Sequence, residues 1–168
     1  RVEHGIAFST DGRRIAFAAM ATCNCREDLY VVDIDGRNLR RVARDGRHPA
    51  WSPDGMRLAY TGGVYEGDIW SVFVLDLRSK RLTRIGWGGF PVWSPSGKRV
   101  AYRGIGSSPS AFCVASVRPL QRRCFRGHRP WAMSWSPTGE RIALIGGDRT
   151  PKRLAVVRAD GSGIRVLA

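Results

Sequence analysis

One register recurs four times along the 168-residue chain, and no other feature narrows its folding as far. The segments are GIAFSTDGRRIAFAA (Gly5 to Ala19), HPAWSPDGMRLAYTGG (His48 to Gly63), PVWSPSGKRVAYRG (Pro91 to Gly104) and MSWSPTGERIALIGG (Met133 to Gly147). They align without gaps on aromatic anchors at Phe8, Trp51, Trp93 and Trp135, spaced 43, 42 and 42 residues apart. Each anchor is followed by a serine (Ser9, Ser52, Ser94, Ser136), then by Gly12, Gly55, Gly97 or Gly139, then by Arg14, Arg57, Arg99 or Arg141, and then by Ala16, Ala59, Ala101 or Ala143. A fixed period of roughly 40–45 residues is the mark of a repeat architecture.

Within a unit the pattern is strand-like throughout. Leu58 and Tyr60 alternate with Arg57 and Ala59, and the same alternation places Ile15/Phe17, Val100/Tyr102 and Ile142/Leu144 on one side of their strands. A third strand is expected at residues 29–34, 69–77, 111–117 and 153–159, and a fourth at 39–43, 81–85, 122–125 and 164–168. The Asp-Gly pairs at Asp35-Gly36 and Asp160-Gly161 are hairpin signals. No stretch sustains a 3.6-residue period, so helix is not expected. Four short antiparallel strands per repeat make one blade of a β-propeller. A blade is apolar on both faces and completes its core only by stacking on the next. The expectation is an all-β fold of four blades, spanning residues 4–43, 47–85, 89–126 and 131–168, with the repeated segment as the inner hairpin of each.

The quoted repeats PAWSPDGMRLAY, PVWSPSGKRVAY and SWSPTGERIAL resemble TolB-type propellers, whose WD-repeat-like blades also occur beside prolyl-oligopeptidase-type hydrolases. The tails YVVDIDGRNLRRV and AVVRADGSGIRVL resemble the outer strands of the same repeat. The resemblance covers essentially the whole chain. It implies a non-enzymatic scaffold for protein–protein interaction, in a periplasmic or extracellular setting, with no cofactor. It departs from the family in blade number, since TolB-like propellers have six or more. The four blades therefore close as a tight ring, form an arc of a larger propeller, or pair with a second copy. The arc is the expectation, and its two exposed flanks invite self-association.

Composition narrows the alternatives. Hydrophobic content of 43% excludes a disordered chain. No apolar run approaches the ~20 residues of a membrane span. The net charge of +14 raises a polyanion partner as one rival function. Lys80, Lys98 and Lys152 are the lysines, and the rest of the 28 basic residues are Arg. On the turn side of the propeller, acids such as Asp35, Asp54, Asp76 and Asp160 sit among the basic residues. That mixture points to a salt-bridged rim rather than a phosphate track, so nucleic acid is not the expected partner. The periodic arginines point to a structural ladder.

Catalytic motifs are absent: there is no G-x-S-x-G elbow and no phosphate loop. The second rival, an accessory propeller of a serine peptidase, therefore needs its catalytic domain outside this chain. His4, His48, His128, Cys23 and Cys25 lack the paired C-x-x-C form of common zinc sites, and no metal is expected. Up-and-down strand order puts the long glycine-rich connections on one side. There Tyr65, Trp87, Phe90 and Trp131, with His48 and His128, are the candidate partner-binding residues, since aromatics and Arg are enriched at interface centres. For Phe90 and Trp131 the alternative is simple capping of the core. Finally, if Arg118 and Pro119 form a two-residue turn, Cys113 falls opposite Cys124. The pair then forms a cross-strand disulfide or, with a longer turn, two separately packed thiols.

Overall fold

The computed structural model describes residues 5–20, 27–63, 70–105, 111–126, 130–146 and 153–167. Among them there is no helix. The first blade comprises β1 (Ile6–Phe8), β2 (Arg14–Met20), β3 (Glu27–Asp33) and β4 (Arg40–Ala43), antiparallel in sequence order. The second begins with β5 (Gly46–Trp51), β6 (Arg57–Gly62) and β7 (Ser71–Asp76), and ends in β8 (Leu82–Trp93). The third continues through β9 (Arg99–Gly104), β10 (Ala111–Val117) and β11 (Leu120–Arg126). The fourth is β12 (Pro130–Trp135), β13 (Arg141–Gly146), β14 (Arg153–Arg158) and the short β15 (Arg165–Val166).

Strand β8 departs from the expectation. The glycine-rich Gly86–Phe90 reads as a loop in sequence, yet it is strand. One 12-residue strand serves as the outer strand of the second blade and the inner strand of the third, so that β5 to β11 form one seven-stranded sheet. Glycine makes this possible. At Gly88, φ is 143°, and a Cβ there would run into the backbone carbonyl of Arg103. The glycines here admit close backbone approach instead of breaking the strand.

The A–B turn explains the repeated Ser-x-x-Gly-x-Arg spacing. Each serine N–H donates to the arginine carbonyl (Ser52 to Arg57, 2.9 Å), and each glycine N–H donates to the serine carbonyl (Gly55 to Ser52, 2.9 Å). The serine hydroxyl accepts from the arginine N–H, at 2.9 Å for Arg14 and Arg57 and 3.1 Å for Arg99 and Arg141. Gly12, Gly55, Gly97 and Gly139 all have φ between 65° and 71°, which a side chain would oppose. Ser52 and Ser94 are fully buried, so the hydroxyl serves backbone groups that water does not reach.

The blades are joined by a second repeated device. The indole N–H of each anchor donates to the strand-A carbonyl of the preceding blade: Trp51 to Ala7 (3.0 Å), Trp93 to Ala50 (3.0 Å) and Trp135 to Val92 (3.2 Å). The repeat arginine of the preceding blade then lies over that indole, with Cζ 4.8, 4.8 and 5.1 Å from the ring centroid for Arg14, Arg57 and Arg99. The same guanidinium donates to the turn glycine of the next blade, at 2.8, 3.1 and 2.9 Å. The ladder of arginines is thus structural. Among the described residues three apolar clusters lie between the blades, typified by Ala59, Val72 and Val74 of the second blade against Trp93, Val100 and Tyr102 of the third. Trp51 and Trp93 are buried and Trp135 is partly buried, whereas Phe8 is 60% exposed because no described blade precedes it.

In the third blade, Val117 pairs with Leu120 and Cys113 with Cys124, and the two cysteines are joined by a disulfide. The Cys113 side is buried and the Cys124 side exposed. Among the described residues no helix is long and apolar enough to cross a membrane.

Candidate functional site

The loop-rich side is organised by bulges at the start of strand A. In the second blade the β5–β6 register shifts between Arg47 and Ala50, and in the third the β8–β9 register shifts between Gly89 and Val92. The extra residues are His48 (φ 51°) and Phe90 (φ 57°), with Gly5 (φ 113°) at the equivalent place in the first blade. Each precedes its anchor by three positions. A bulge re-aims side chains that regular pairing would turn into the sheet. Here it brings the rings of His48 and Phe90, from adjacent blades, to 4.1 Å between centroids, tilted by 37°. A positive φ is uncommon for a bulky residue and is held by its surroundings. The Phe90 N–H donates to the Thr61 hydroxyl at 3.0 Å, which fixes the bulge from the second blade.

Around this pair lies an aromatic and cationic surface. Phe90 is 38% exposed and Trp131 is 55% exposed. The Arg103 guanidinium lies 5.9 Å from the Phe90 ring and 5.4 Å from the Trp131 ring, which links the third and fourth blades. His48, Phe90 and Trp131 thus belong to one contiguous group through Arg103. Trp87 stands in β8 with its ring under Arg84 (4.4 Å), and no described contact joins it to that group. Tyr65 and His128 lie outside the described residues, as do His4, Cys23 and Cys25. Sequence reasoning missed Arg103 and Thr61. Arg103 opposes Gly89 and Thr61 opposes Arg47 in the strand pairings beside the two bulges, a placement that the sequence pattern does not show.

Two ion pairs lie near the His48 bulge, one of them through the adjacent Arg47. Glu27 pairs with Arg47 (3.3 Å) with both side chains largely buried, and the Arg47 guanidinium lies 4.2 Å from the Trp70 ring. Asp28 pairs with Arg41 (2.9 Å) and accepts the Asp45 N–H (3.2 Å). The Glu27–Arg47 pair is buried, whereas Arg41 is 43% exposed and its pair with Asp28 is only partly buried. The shifted carboxylates lie elsewhere, on the turn side. Hydrogen bonds from Ser9 to Asp11, from Ser79 to Asp76 and from Ser162 to Asp160 hold those carboxyls below the usual range. Burial opposes the same shift at Asp54, but bonds from Ser52, Met56 and Arg57 outweigh it. Burial pushes the Tyr60 hydroxyl up to about 12. Among the described residues no group of His, Cys, Asp and Glu side chains is placed to hold a metal.

Chemically, this surface is suited to contact with a ligand or partner. Among the described residues it offers the ring faces of Phe90 and Trp131, the His48 imidazole and the Arg103 guanidinium.

The blade topology, the inner anchors and the inter-blade ladder define a β-propeller arc. Its fold is that of TolB-like propellers. The putative TolB from Agrobacterium tumefaciens is similar with a TM-score of 0.81 at 18% identity, over 97% of this chain and 64% of that one. TolB from Acinetobacter baumannii is similar with a TM-score of 0.76 at 17% identity, over 98% of this chain and 44% of that one. The β-propeller domain of the Trilobed protease from Pyrococcus furiosus gives a TM-score of 0.71 at 14% identity, over 98% and 57%. The chain thus spans between about two-fifths and two-thirds of the length of these structures. No family model matches the chain. Enzymes are represented among the similar structures, and the fold by itself does not separate a binding module from part of an enzyme.

Proposed function

We propose that this chain is a non-enzymatic propeller module that binds a protein partner through its loop-rich side in an extracytoplasmic compartment. The observation that carries the reading is Phe90: its backbone is held at positive φ while its ring stays exposed against His48. The bulge places the Phe90 ring at the surface beside His48, where an aromatic anchor is offered to a partner. Arg103 and Trp131 extend the anchor with the residue types that dominate interface centres. The Cys113–Cys124 disulfide supports an oxidising compartment.

The test is site-specific photocrosslinking in the native host from position 131, with position 37 on the turn side as control. The expected result is one polypeptide captured from 131 and not from 37. Its affinity for the purified chain then falls roughly tenfold or more with Phe90→Ala, while the melting temperature barely moves. Equal capture from both positions, or loss of binding in step with loss of fold, refutes the reading.

A second reading, an accessory propeller of a serine peptidase, draws on the similarity to the propeller domain of a protease. Labelling of the full-length protein from its host by a serine-directed fluorophosphonate favours it. The polyanion reading loses support from the arginine ladder, because Arg14, Arg57 and Arg99 are engaged with backbone carbonyls and indoles. A weak salt dependence of heparin binding would remove it.

A further inference from the structure

The repeat places one arginine at each joint between blades, and the residues beside that arginine differ from joint to joint. Two repeat positions lie next to it: the turn residue three after the anchor, and the residue directly across the strand pair. In the first blade they are Asp11 and Asp33 around Arg14, and in the second Asp54 and Asp76 around Arg57. In the third blade both acids are gone. Ser96 takes the turn position and Ser116 stands opposite Arg99. Arg99 keeps its bond to Gly139 and its place over Trp135, and among the described residues no carboxylate pairs with it.

Those two replacements border a cavity of about 360 Å³ between the third and fourth blades, on the turn side. Its wall is one face of the third blade, where Arg99 and Gln121 flank Ser116 and Arg123 lies across from Val114. Val114 and Ala159 are buried and give it an apolar floor, while Gln121 and Arg123 are exposed and Ser116 is half-buried. With Arg122 at the edge, three arginines stand against one lining acid, Asp160, whose carboxylate already accepts the Ser162 N–H at 2.8 Å. The corresponding cavity between the second and third blades, of about 380 Å³, is lined by Arg57, Arg81 and Arg118 but keeps its acids: Asp54 lies 2.7 Å from Arg57, and Asp76 lies 3.9 Å from Arg118.

We propose that the cavity between the third and fourth blades binds a small ligand through an oxyanion group, a phosphate or a carboxylate. A guanidinium carries five N–H donors in a planar fork that matches either group. Arg99 gives one donor to Gly139 and lies over Trp135, so it is held ready in one position. Arg123 adds a second guanidinium from the outer strand, and no described residue forms an ion pair with it. The Ser116 hydroxyl and the Gln121 amide supply further donors. Val114 and Ala159 receive the apolar part of the ligand, which suits a site with few polar groups on an apolar floor. The cavity lies on the opposite side from His48 and Phe90, so this site stands independently of the partner-binding surface. It is one socket rather than a track for a polyanion, because the neighbouring joint keeps its carboxylates.

The test is a titration of the 168-residue chain with phenyl phosphate and, separately, with phenylacetate, followed by nuclear magnetic resonance of the arginine Nε–H signals. Low ionic strength is used, because salt screens exposed charge. The expected result is saturable binding with shifts centred on Arg99 and Arg123, and the tighter of the two probes identifies the headgroup. Ser116→Asp restores the acid of the first two blades and is expected to weaken binding by about tenfold or more, and Arg123→Gln by roughly three- to tenfold. Arg81→Gln, the matching change at the neighbouring joint, is expected to alter the affinity by less than about twofold. Circular dichroism checks the fold of each variant; if Ser116→Asp does not fold, the exposed Arg123→Gln decides. The proposal is overturned if neither probe binds saturably, or if a folded Ser116→Asp variant binds as well as the wild type. It is equally overturned if Arg81→Gln weakens binding as much as Arg123→Gln, which marks diffuse attraction to surface charge.

Discussion

Replacing Trp93 tests the joint between blades, because two substitutions there divide its energy. Trp93 is 9% exposed, its N–H reaches the Ala50 carbonyl at 3.0 Å, and the Arg57 guanidinium lies 4.8 Å from its ring. Trp93→Phe keeps most of the apolar ring but removes the hydrogen-bond donor, a net loss of about 1 kcal/mol. It also weakens the cation–π contact, which is strongest for indole, by roughly 0.5 kcal/mol. Trp93→Ala removes the ring as well and opens a cavity between two blades, for a total of about 3–5 kcal/mol. The expected order is a loss of roughly 1–2 kcal/mol for Phe and at least twice that for Ala. For a chain of this length, each kcal/mol corresponds to about 2–4 °C in melting temperature. The assay is guanidinium unfolding followed by far-ultraviolet circular dichroism, read as the shift in midpoint at constant slope. A changed slope would signal that blades unfold separately and that a single free energy no longer applies. Two results refute the reasoning: Phe costing as much as Ala, which makes the hydrogen bond dominant, or Ala costing under about 1 kcal/mol, which removes Trp93 from the core.

Three further outcomes follow from named contacts. Ser52→Ala leaves the Arg57 backbone N–H without its acceptor, the fully buried Ser52 hydroxyl, and is expected to cost about 1–3 kcal/mol; an unchanged unfolding midpoint counts against the serine's role. Acid destabilises the fold: the carboxyls of Asp11, Asp54, Asp76 and Asp160 have folded pKa values below their unfolded ones, so their stabilisation is complete above the unfolded value near 4 and is lost as pH falls through the folded values. Midpoints measured from pH 6 down to 2 are expected to drop below about pH 4, and a flat profile counts against the turn hydrogen bonds. Cys113→Ala/Cys124→Ala, which opens a bridge across a sequence separation of 11 residues, is expected to cost about 2–3 kcal/mol; a variant as stable as the wild type removes the bridge from the account.

Much of this molecule is legible in its sequence. The Phe8/Trp51/Trp93/Trp135 period and the two-residue alternation after each turn call for blades because both signals are local: they report which side chains share a face of one strand. The opposition of Cys113 and Cys124 was likewise reachable, since one short turn sets the register. The path of Gly86–Phe90 was not. Composition marks glycines as breaks, but whether they break a strand or admit a neighbour depends on what lies across the ladder, here the Arg103 backbone. Trp87 and Phe90, both candidate partner-binding aromatics in sequence, proved different, one under Arg84 and the other turned by a bulge toward His48.

Sequence by itself determined the repeat, the strands, the Ser-x-x-Gly turn and the aromatic anchors, because each depends on hydrogen bonds and side-chain alternation within a few residues. Tertiary structure decided what the arginines and the exposed aromatics do. Arg14, Arg57 and Arg99 act on the blade that follows, about 40 residues further along the chain, at Gly55, Gly97 and Gly139. The pairing of His48 with Phe90, and the bridging of Phe90 and Trp131 by Arg103, arise only when neighbouring blades stack. Periodicity along a strand says which residues point the same way; only the stacking of blades says what they meet.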